Sequence, residues 1–109
     1  MNNSPKEVTV QDVADLLRSD TPPRLVDVRE PAENELVCLE GGQLLTEALV
    51  EEILSQWPQD TPIVCYCHHG IRSAHAAMFL ASRGFSDVAT MRGGIDAWAL
   101  EVDPSLPRY

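Results

Sequence analysis

The chain has 109 residues, of which 44 % are hydrophobic, so it is long enough for one globular domain with a core and too short for two ordinary domains. Its 17 acidic residues against 8 basic ones give a formal net charge of −9, which argues against nucleic acid and anionic membranes as partners. No apolar run approaches the roughly 20 residues that cross a bilayer, and residues 1–7 lack the apolar core of a signal peptide. We therefore expect a soluble, cytoplasmic, single domain over residues 1–109.

Short apolar runs alternate with segments of helical periodicity along the chain. The apolar runs predict strands over residues 8–10, 25–28, 62–66 and 87–91. The periodic segments predict helices over residues 9–18, 46–57, 72–83 and 95–100. Residues 31–45 follow neither period, and Gly41-Gly42 marks a turn within them.

The predicted helices have recognisable ends and apolar faces. Thr9 and Thr46 are candidate N-caps, Pro22 and Pro58 end the first two helices, and Gly84 follows the third. The apolar face of the first helix comprises Val10, Val13, Ala14 and Leu17. That of the second comprises Leu49, Val50, Ile53, Leu54 and Trp57. That of the third comprises Ala74, Ala77, Met78 and Ala81.

Strands that alternate with helices require crossover connections, which predict a mainly parallel sheet with helices on both faces. The expected fold class is therefore α/β, a three-layer α/β/α domain with an ordered core over residues 7–100 and an irregular tail over residues 101–109. Ligands of such folds bind at the carboxyl ends of the strands. That rule directs attention to the residues that follow Val28 and Tyr66.

The segment after Tyr66 has the composition expected around an activated thiolate. It comprises Cys67, His68, His69, Gly70, Ile71, Arg72 and Ser73 and leads directly into the third helix. Unpaired backbone N–H groups and the dipole at a helix N-terminus attract an anion, and nearby cations lower the pKa of a thiol. Cys67 is therefore a candidate nucleophile, with the two histidines and Arg72 as nearby cations.

Other roles for these residues stay open on local grounds. Cys67 could pack as a small core residue, the histidines could be solvated, and Arg72 could lie on the helix surface. Cys65, inside the strand, is predicted to pack in the core. Cys65 and Cys67 face the same side of a strand and could share a metal ion with the histidines, but no second cluster supplies further ligands, so we expect no metal.

The order of the motifs resembles the rhodanese-like family. Residues 25–30 read Leu-Val-Asp-Val-Arg-Glu, with Glu33 following, which is similar to the family's N-terminal signature. Residues 62–98 are similar to its C-terminal half: a strand, a loop of Cys, four residues, Arg and Ser, an alanine-rich helix, and the sequence Gly-Gly-Ile-Asp-Ala-Trp. The resemblance covers residues 7–100 and implies a central, mainly parallel five-stranded sheet.

The length of the loop separates related chemistries. Phosphatases and arsenate reductases of similar fold have five residues between the Cys and the Arg, whereas four separate Cys67 from Arg72. The shorter loop resembles the sulfurtransferase version and disfavours arsenate reductase-like or phosphatase-like activity. The chain departs from the family at residues 37–42, where Val-Cys-Leu-Glu-Gly-Gly replaces a Gly-His-Ile-Pro-Gly-Ala segment. Cys38 thus stands where the family often has His, either as a resolving thiol or as a thiol without a catalytic role.

The resemblance implies a thiosulfate sulfurtransferase-like enzyme. Cys67 would take a sulfane sulfur from thiosulfate or a persulfide and pass it to a thiol, to cyanide or to a protein acceptor, without any cofactor. Residues 68–73 would bind the donor. Asp27 and Arg29 would brace the loop from behind, with a solvent-exposed ion pair as their alternative role. The competing functions are a non-catalytic binding or regulatory module, a sulfur-carrier or redox module, and a zinc-binding domain.

Overall fold

The computed structural model describes residues 4–109. Within this range, five strands alternate with five helices along the chain. The strands are β1 (Lys6–Val8), β2 (Arg24–Asp27), β3 (Gln43–Leu44), β4 (Ile63–Tyr66) and β5 (Val88–Met91). The helices are α1 (Val10–Leu17), α2 (Pro31–Leu36), α3 (Glu47–Gln56), α4 (Ile71–Ser82) and α5 (Gly94–Glu101).

The five strands form one sheet in the order β1-β5-β4-β2-β3, and every pair is parallel. The predicted α/β fold with a parallel five-stranded sheet is thereby confirmed. β4 lies at the centre, with Asp27 of β2 in register with Tyr66 on one side and Thr90 of β5 in register with Cys65 on the other. The carboxyl ends of the three central strands therefore meet beside the segment that begins at Cys67.

Two hydrophobic clusters fill the space on the two faces of the sheet. One packs Val13 of α1 and Ile95 of α5 against the sheet, and the other packs Ile53 of α3 and Leu80 of α4 against its opposite face. β4 is buried on both faces because successive side chains of a strand point to opposite sides. The domain therefore has the three α/β/α layers that the sequence predicts.

The first two predicted helix N-caps are confirmed. Thr9 Oγ1 accepts a hydrogen bond from the backbone N–H of Asp12 at 3.1 Å, and the Asp12 carboxylate accepts one from the N–H of Thr9 at 3.1 Å. Thr46 Oγ1 accepts a hydrogen bond from the N–H of Leu49 at 3.1 Å. Both hydroxyls satisfy a donor that the first turn of a helix leaves unpaired.

Apart from shifts of one residue at the ends of elements, the structure differs from the sequence predictions in three places. β1 ends at Val8 rather than extending over residues 8–10, because Thr9 caps α1. The unassigned segment 31–45 contains α2 and β3. Met78, which was assigned to the apolar face of α4, is 58 % exposed, since the helix buries Ser73, Ala77, Leu80 and Ala81 instead.

The described residues contain no helix that is both long and apolar enough to cross a membrane. After α5, the chain continues without a helix or strand to Tyr109. Val102 and Leu106 of this tail are partly buried against the cluster that holds α1 and α5. The tail therefore packs on the domain, and its last residue, Tyr109, contacts the loop that follows β4.

Candidate active site

The loop between β4 and α4 surrounds the sulfur of Cys67 with hydrogen-bond donors. The backbone N–H of Gly70 lies 3.0 Å from Sγ, and the N–H of Ser73 lies 3.4 Å from it. Gly70 has a φ of 109°, a left-handed conformation that residues with side chains rarely adopt. Cys67 itself is only 1 % exposed. The loop thus forms a small cradle of N–H groups at the start of a helix, the kind of site that holds an anion.

Opposing effects act on the pKa of the Cys67 thiol. Burial raises this pKa, because the charged thiolate loses contact with water. The Ser73 side chain and the backbone N–H groups of Ser73, Gly70 and Arg72 lower it by hydrogen bonding to the thiolate. The hydrogen bonds outweigh burial, and the pKa of Cys67 lies below the ordinary value of a thiol. The thiolate is the nucleophilic form of cysteine, so the cradle favours reactivity.

The Ser73 hydroxyl connects the sulfur to the neighbouring strand. Its Oγ lies 3.5 Å from Sγ of Cys67 and 2.7 Å from Oγ1 of Thr90. It can also donate to the carbonyl oxygen of Gly70, at 3.2 Å. When Thr90 donates to Ser73, the single proton of the Ser73 hydroxyl is free to turn toward a thiolate. Thr90 was not predicted as a site residue, because a threonine in a strand has no sequence signal of its own.

The N-terminus of α5 holds the loop from outside. The N–H of Ile95 donates to the carbonyl oxygen of Cys67 at 2.8 Å, and the N–H of Asp96 donates to that of His68 at 3.2 Å. This approach requires glycine at position 94, since a Cβ there would collide with both carbonyl oxygens, and the φ of Gly94 is +62°. The loop therefore turns its N–H groups toward the sulfur while two of its carbonyl groups are held by α5.

Arg72, the predicted cation of the loop, forms a bidentate ion pair. Its Nη1 and Nη2 donate to the two carboxylate oxygens of Glu33 at 2.7 and 3.0 Å. Arg72 is 43 % exposed in its side chain and Glu33 is 19 % exposed. Hydrogen bonds from Arg72 hold the pKa of Glu33 well below its usual range, so the carboxylate stays charged. The sequence indicated Glu33 only as part of the N-terminal signature, because nothing local links it to a residue 39 positions away.

The two histidines of the loop lie in an aromatic stack. The ring of His68 stacks between those of His69 and Tyr109, with ring centroids 3.9 Å apart on each side. Nε2 of His68 is buried and has no hydrogen-bond partner among the described residues. His69 is exposed, with Nε2 3.8 Å from a carboxylate oxygen of Asp96. Ile71, at the start of α4, is 71 % exposed.

A group of metal-ligand side chains lies on the same side of the loop. One atom each from His68, His69 and Asp96 lies within 4.8 Å of the others. The Asp96 carboxylate is already engaged by the guanidinium of Arg108, at 2.9 and 3.3 Å. This group contains no cysteine, so it is not the metal site shared by Cys65 and Cys67 that the sequence left open as an alternative.

Asp27 and Arg29 form a buried ion pair behind the loop. Both side chains are fully buried, and Nη2 of Arg29 lies 2.7 Å from Oδ2 of Asp27. The alternative of a solvent-exposed pair is therefore wrong. Burial raises the pKa of Asp27, but hydrogen bonds from Arg29 and Asn34 outweigh it and leave that pKa below its ordinary value. Asp27 also accepts a hydrogen bond from the hydroxyl of Tyr66, at 3.2 Å, which ties the pair to the end of β4.

The other two cysteines have different environments. Cys65 is fully buried in the cluster that holds α3 and α4, as predicted, and burial raises the pKa of its thiol to about 12. Cys38 is exposed. It lines a cavity of about 630 Å³ whose walls include Trp98 and Leu106 but no residue of the loop 67–73. The structure describes all three cysteines as free thiols.

Comparisons with known proteins identify the family and the fold of this chain. A sequence model of the family described as "Rhodanese-like domain" matches residues 9–101. The chain is 38 % identical over 104 residues to a probable adenylyltransferase/sulfurtransferase MoeZ of Mycobacterium tuberculosis, a match that covers 94 % of this chain and 26 % of that protein. The chain therefore spans about a quarter of the length of that relative.

A second relative and one solved structure are closer to this chain in length. A thiosulfate sulfurtransferase GlpE of Vibrio cholerae is 35 % identical over 74 residues, which cover 68 % of this chain and 70 % of that protein. A crystal structure of a rhodanese-like domain protein from Staphylococcus aureus has the same fold, with a TM-score of 0.76, 24 % identity, and coverage of 95 % of this chain and 98 % of that one. From its motifs, its fold and these matches, the chain belongs to the rhodanese-like family.

Proposed function

We propose that this chain is a sulfurtransferase that carries sulfane sulfur as a persulfide on Cys67. The observation that carries the proposal is the position of Sγ inside a cradle of N–H groups that lowers the pKa of the thiol. A relative named thiosulfate sulfurtransferase supports thiosulfate as one donor. A domain with the same fold but a purely binding role would have no need of an activated thiolate at this place.

In the first half-reaction, the Cys67 thiolate attacks the outer sulfur of thiosulfate. A new S–S bond forms as the S–S bond of thiosulfate breaks, and the electron pair of the broken bond leaves with sulfite. The product is the anionic persulfide of Cys67, so the charges of reactants and products are equal. The N–H groups of Gly70 and Ser73 stabilise the anionic sulfur as they stabilise the thiolate, which is electrostatic catalysis by fixed donors.

In the second half-reaction, a nucleophilic acceptor removes the outer sulfur. Cyanide would form thiocyanate, and a thiolate would form a new persulfide, as the S–S bond to Cys67 breaks and its electron pair returns to Sγ. The enzyme thus alternates between two covalent forms, which predicts ping-pong kinetics with parallel lines in a double-reciprocal plot. A protein thiol is a further acceptor class that fits this chemistry.

Intact-mass spectrometry tests the proposal directly. Brief incubation with thiosulfate, followed by removal of small molecules, should add the mass of one sulfur atom to the wild-type protein. Cys67→Ala should gain none, whereas Cys38→Ala, the matched control on an exposed thiol, should gain one as the wild type does. Cyanide should then remove the added mass and release one equivalent of thiocyanate.

Two results would refute the proposal. If the wild type gains no sulfur from thiosulfate or from an organic persulfide, Cys67 is not a sulfur carrier. If Cys67→Ala gains sulfur as the wild type does, the nucleophile lies elsewhere. Hydrolysis of an aryl phosphate by the wild type but not by Cys67→Ala would favour the phosphatase-like alternative instead.

A further inference from the structure

Tyr109, far from Cys67 in the sequence, lies against the sulfur-binding loop. Its ring stacks on that of His68, with centroids 3.9 Å apart and an angle of 8° between the ring planes. Tyr109 lies outside residues 9–101, to which the family model extends. The preceding residue, Arg108, pairs with Asp96 of α5 at 2.9 Å. Two consecutive residues of the tail are therefore anchored, Arg108 on α5 and Tyr109 on the loop.

The hydroxyl of Tyr109 connects two ion pairs. It donates to Oε2 of Glu33 at 2.6 Å and accepts from Nη1 of Arg29 at 2.9 Å. These directions are fixed, because arginine can only donate, a carboxylate can only accept, and the phenol has one proton. Arg29 is itself held by the buried Asp27. Tyr109 is thus fixed from the protein interior and adds a fourth hydrogen-bond donor to the carboxylate that already accepts from both Nη atoms of Arg72 and from the backbone N–H of Glu30.

This arrangement bears on how an anionic donor would bind. Arg72 is the only arginine or lysine among residues 67–73, and its guanidinium is engaged by Glu33. A doubly charged anion that approaches the loop must compete with Glu33 for Arg72. Each hydrogen bond that holds Glu33 in place makes that competition harder.

We propose that Tyr109 is a positioning residue that sets the affinity of the site for anionic sulfur donors, by holding Glu33 on Arg72. The proposal rests on the proposed sulfur-transfer function for its substrate class. Tyr109 acts only through Glu33 and does not touch the reacting sulfur. It therefore weakens the binding of thiosulfate and of the product sulfite equally and so favours release of the product. The loss of affinity is larger for strongly charged anions than for weakly charged ones.

The first test is a comparison of steady-state kinetics with thiosulfate. Tyr109→Phe keeps the ring on His68 and removes only the hydroxyl, so KM for thiosulfate should fall about two- to threefold. Glu33→Gln, which removes the competing charge, should lower KM about fivefold. In both variants kcat should stay close to the wild-type value, because a contact that weakens bound substrate and transition state equally affects KM alone.

A double-mutant cycle then separates positioning from a general structural effect. Since Tyr109 acts through Glu33, Tyr109→Phe should have no further effect on KM in the Glu33→Gln background. Asp15→Asn is the matched control for charge, because it removes one carboxylate and frees Arg18 in an exposed pair on α1. It should leave KM unchanged.

A binding measurement that involves no turnover tests the role of Tyr109 independently of the proposed sulfur transfer. In a Cys38→Ala background, sulfate, which cannot donate sulfur, should protect Cys67 from iodoacetamide, and the half-protecting concentration should fall in Tyr109→Phe by the same factor as KM. Chloride at equal ionic strength is the control. If Cys67 takes up no sulfur but sulfate protection shifts as expected, the proposed function fails and the role of Tyr109 stands.

The inference is overturned if Tyr109→Phe, with normal persulfide formation, leaves both KM and sulfate protection unchanged or moves them upward. It is also overturned if Tyr109→Phe lowers KM by the same factor with and without Glu33, since the effect would then not pass through that carboxylate. Circular dichroism and thermal unfolding of each variant establish that the compared proteins are folded.

Discussion

Replacing Gly94 by alanine should weaken the fold and raise the pKa of Cys67 at the same time. A non-glycine residue in the left-handed region costs about 1–2 kcal/mol. The new Cβ would also collide with the carbonyl oxygens of Cys67 and His68 and force α5 away from the loop. Loss of the two hydrogen bonds donated by Ile95 and Asp96 would lower the free energy of unfolding by about 0.5–1.5 kcal/mol each. The free energy of unfolding should therefore fall by about 2–5 kcal/mol.

Gly41→Ala is a matched control for this substitution. Gly41 also has a positive φ, +81°, but a Cβ there would meet nothing within 4 Å. It should cost about 1–2 kcal/mol, from backbone strain alone. The effect of alanine on the unfolded chain is the same at both positions and cancels in the comparison. The excess loss in Gly94→Ala thus reports the contact between α5 and the loop.

Urea denaturation measures the free energy of unfolding of the two variants. The pH dependence of iodoacetamide alkylation measures the pKa of Cys67, in a Cys38→Ala background so that the exposed thiol does not react. The alkylation midpoint should move upward in Gly94→Ala, because a displaced loop no longer directs its N–H groups at the sulfur, and stay unchanged in Gly41→Ala. An equal loss of stability in the two variants, or an unchanged midpoint in Gly94→Ala, would show that the contact between α5 and the loop does not control the pKa of Cys67.

Other substitutions test the surroundings of the sulfur. Ser73→Ala should raise the alkylation midpoint of Cys67, since it removes the side-chain hydrogen bond that lowers the pKa of the thiol. Asp27→Asn should lower the free energy of unfolding by about 3–5 kcal/mol in urea, because it leaves the buried charge of Arg29 without its partner. The folded-state pKa of Asp27 is lowered, so its contribution is complete above the unfolded value of about 3.9 and is lost as pH falls below it. Urea titrations below that pH should therefore show a steeper loss of stability in the wild type than in Asp27→Asn. Cys38→Ala should leave kcat/KM for thiosulfate unchanged, and a large loss would revive the resolving-thiol alternative.

The sequence predicted those elements that bury an apolar face. α1 and α3 were predictable because their caps and periodicity agree, and β4 because it is apolar throughout. α2 was not, because it buries no residue and is held by polar contacts such as that between Arg72 and Glu33. β3 has only two residues, too few for a period of two to be visible.

The centre of the candidate site was predictable and its surroundings were not. Cys67 and Ser73 belong to one local segment whose residue types and length indicate an anion cradle. Tyr109 and Glu33 lie 76 positions apart in the sequence, and each contacts that segment, Tyr109 by stacking on His68 and Glu33 by hydrogen bonds from Arg72. Neither contact leaves a periodic pattern in the sequence. Gly94 had a usable signal, since two successive glycines before a helix indicate a close approach of backbone.

A persulfide would alter the shape of the loop as well as its chemistry. Cys67 is 1 % exposed when empty, so protein atoms cover almost all of the residue to which a second sulfur atom would be added. An S–S bond of about 2.05 Å would place that atom where the loop and its neighbours now close over the thiol. Loading would therefore push part of this covering outward, and Ile71 and His69 are exposed side chains of the same loop. The persulfide form and the empty form would present different surfaces. An acceptor could therefore distinguish them by shape before any bond is exchanged.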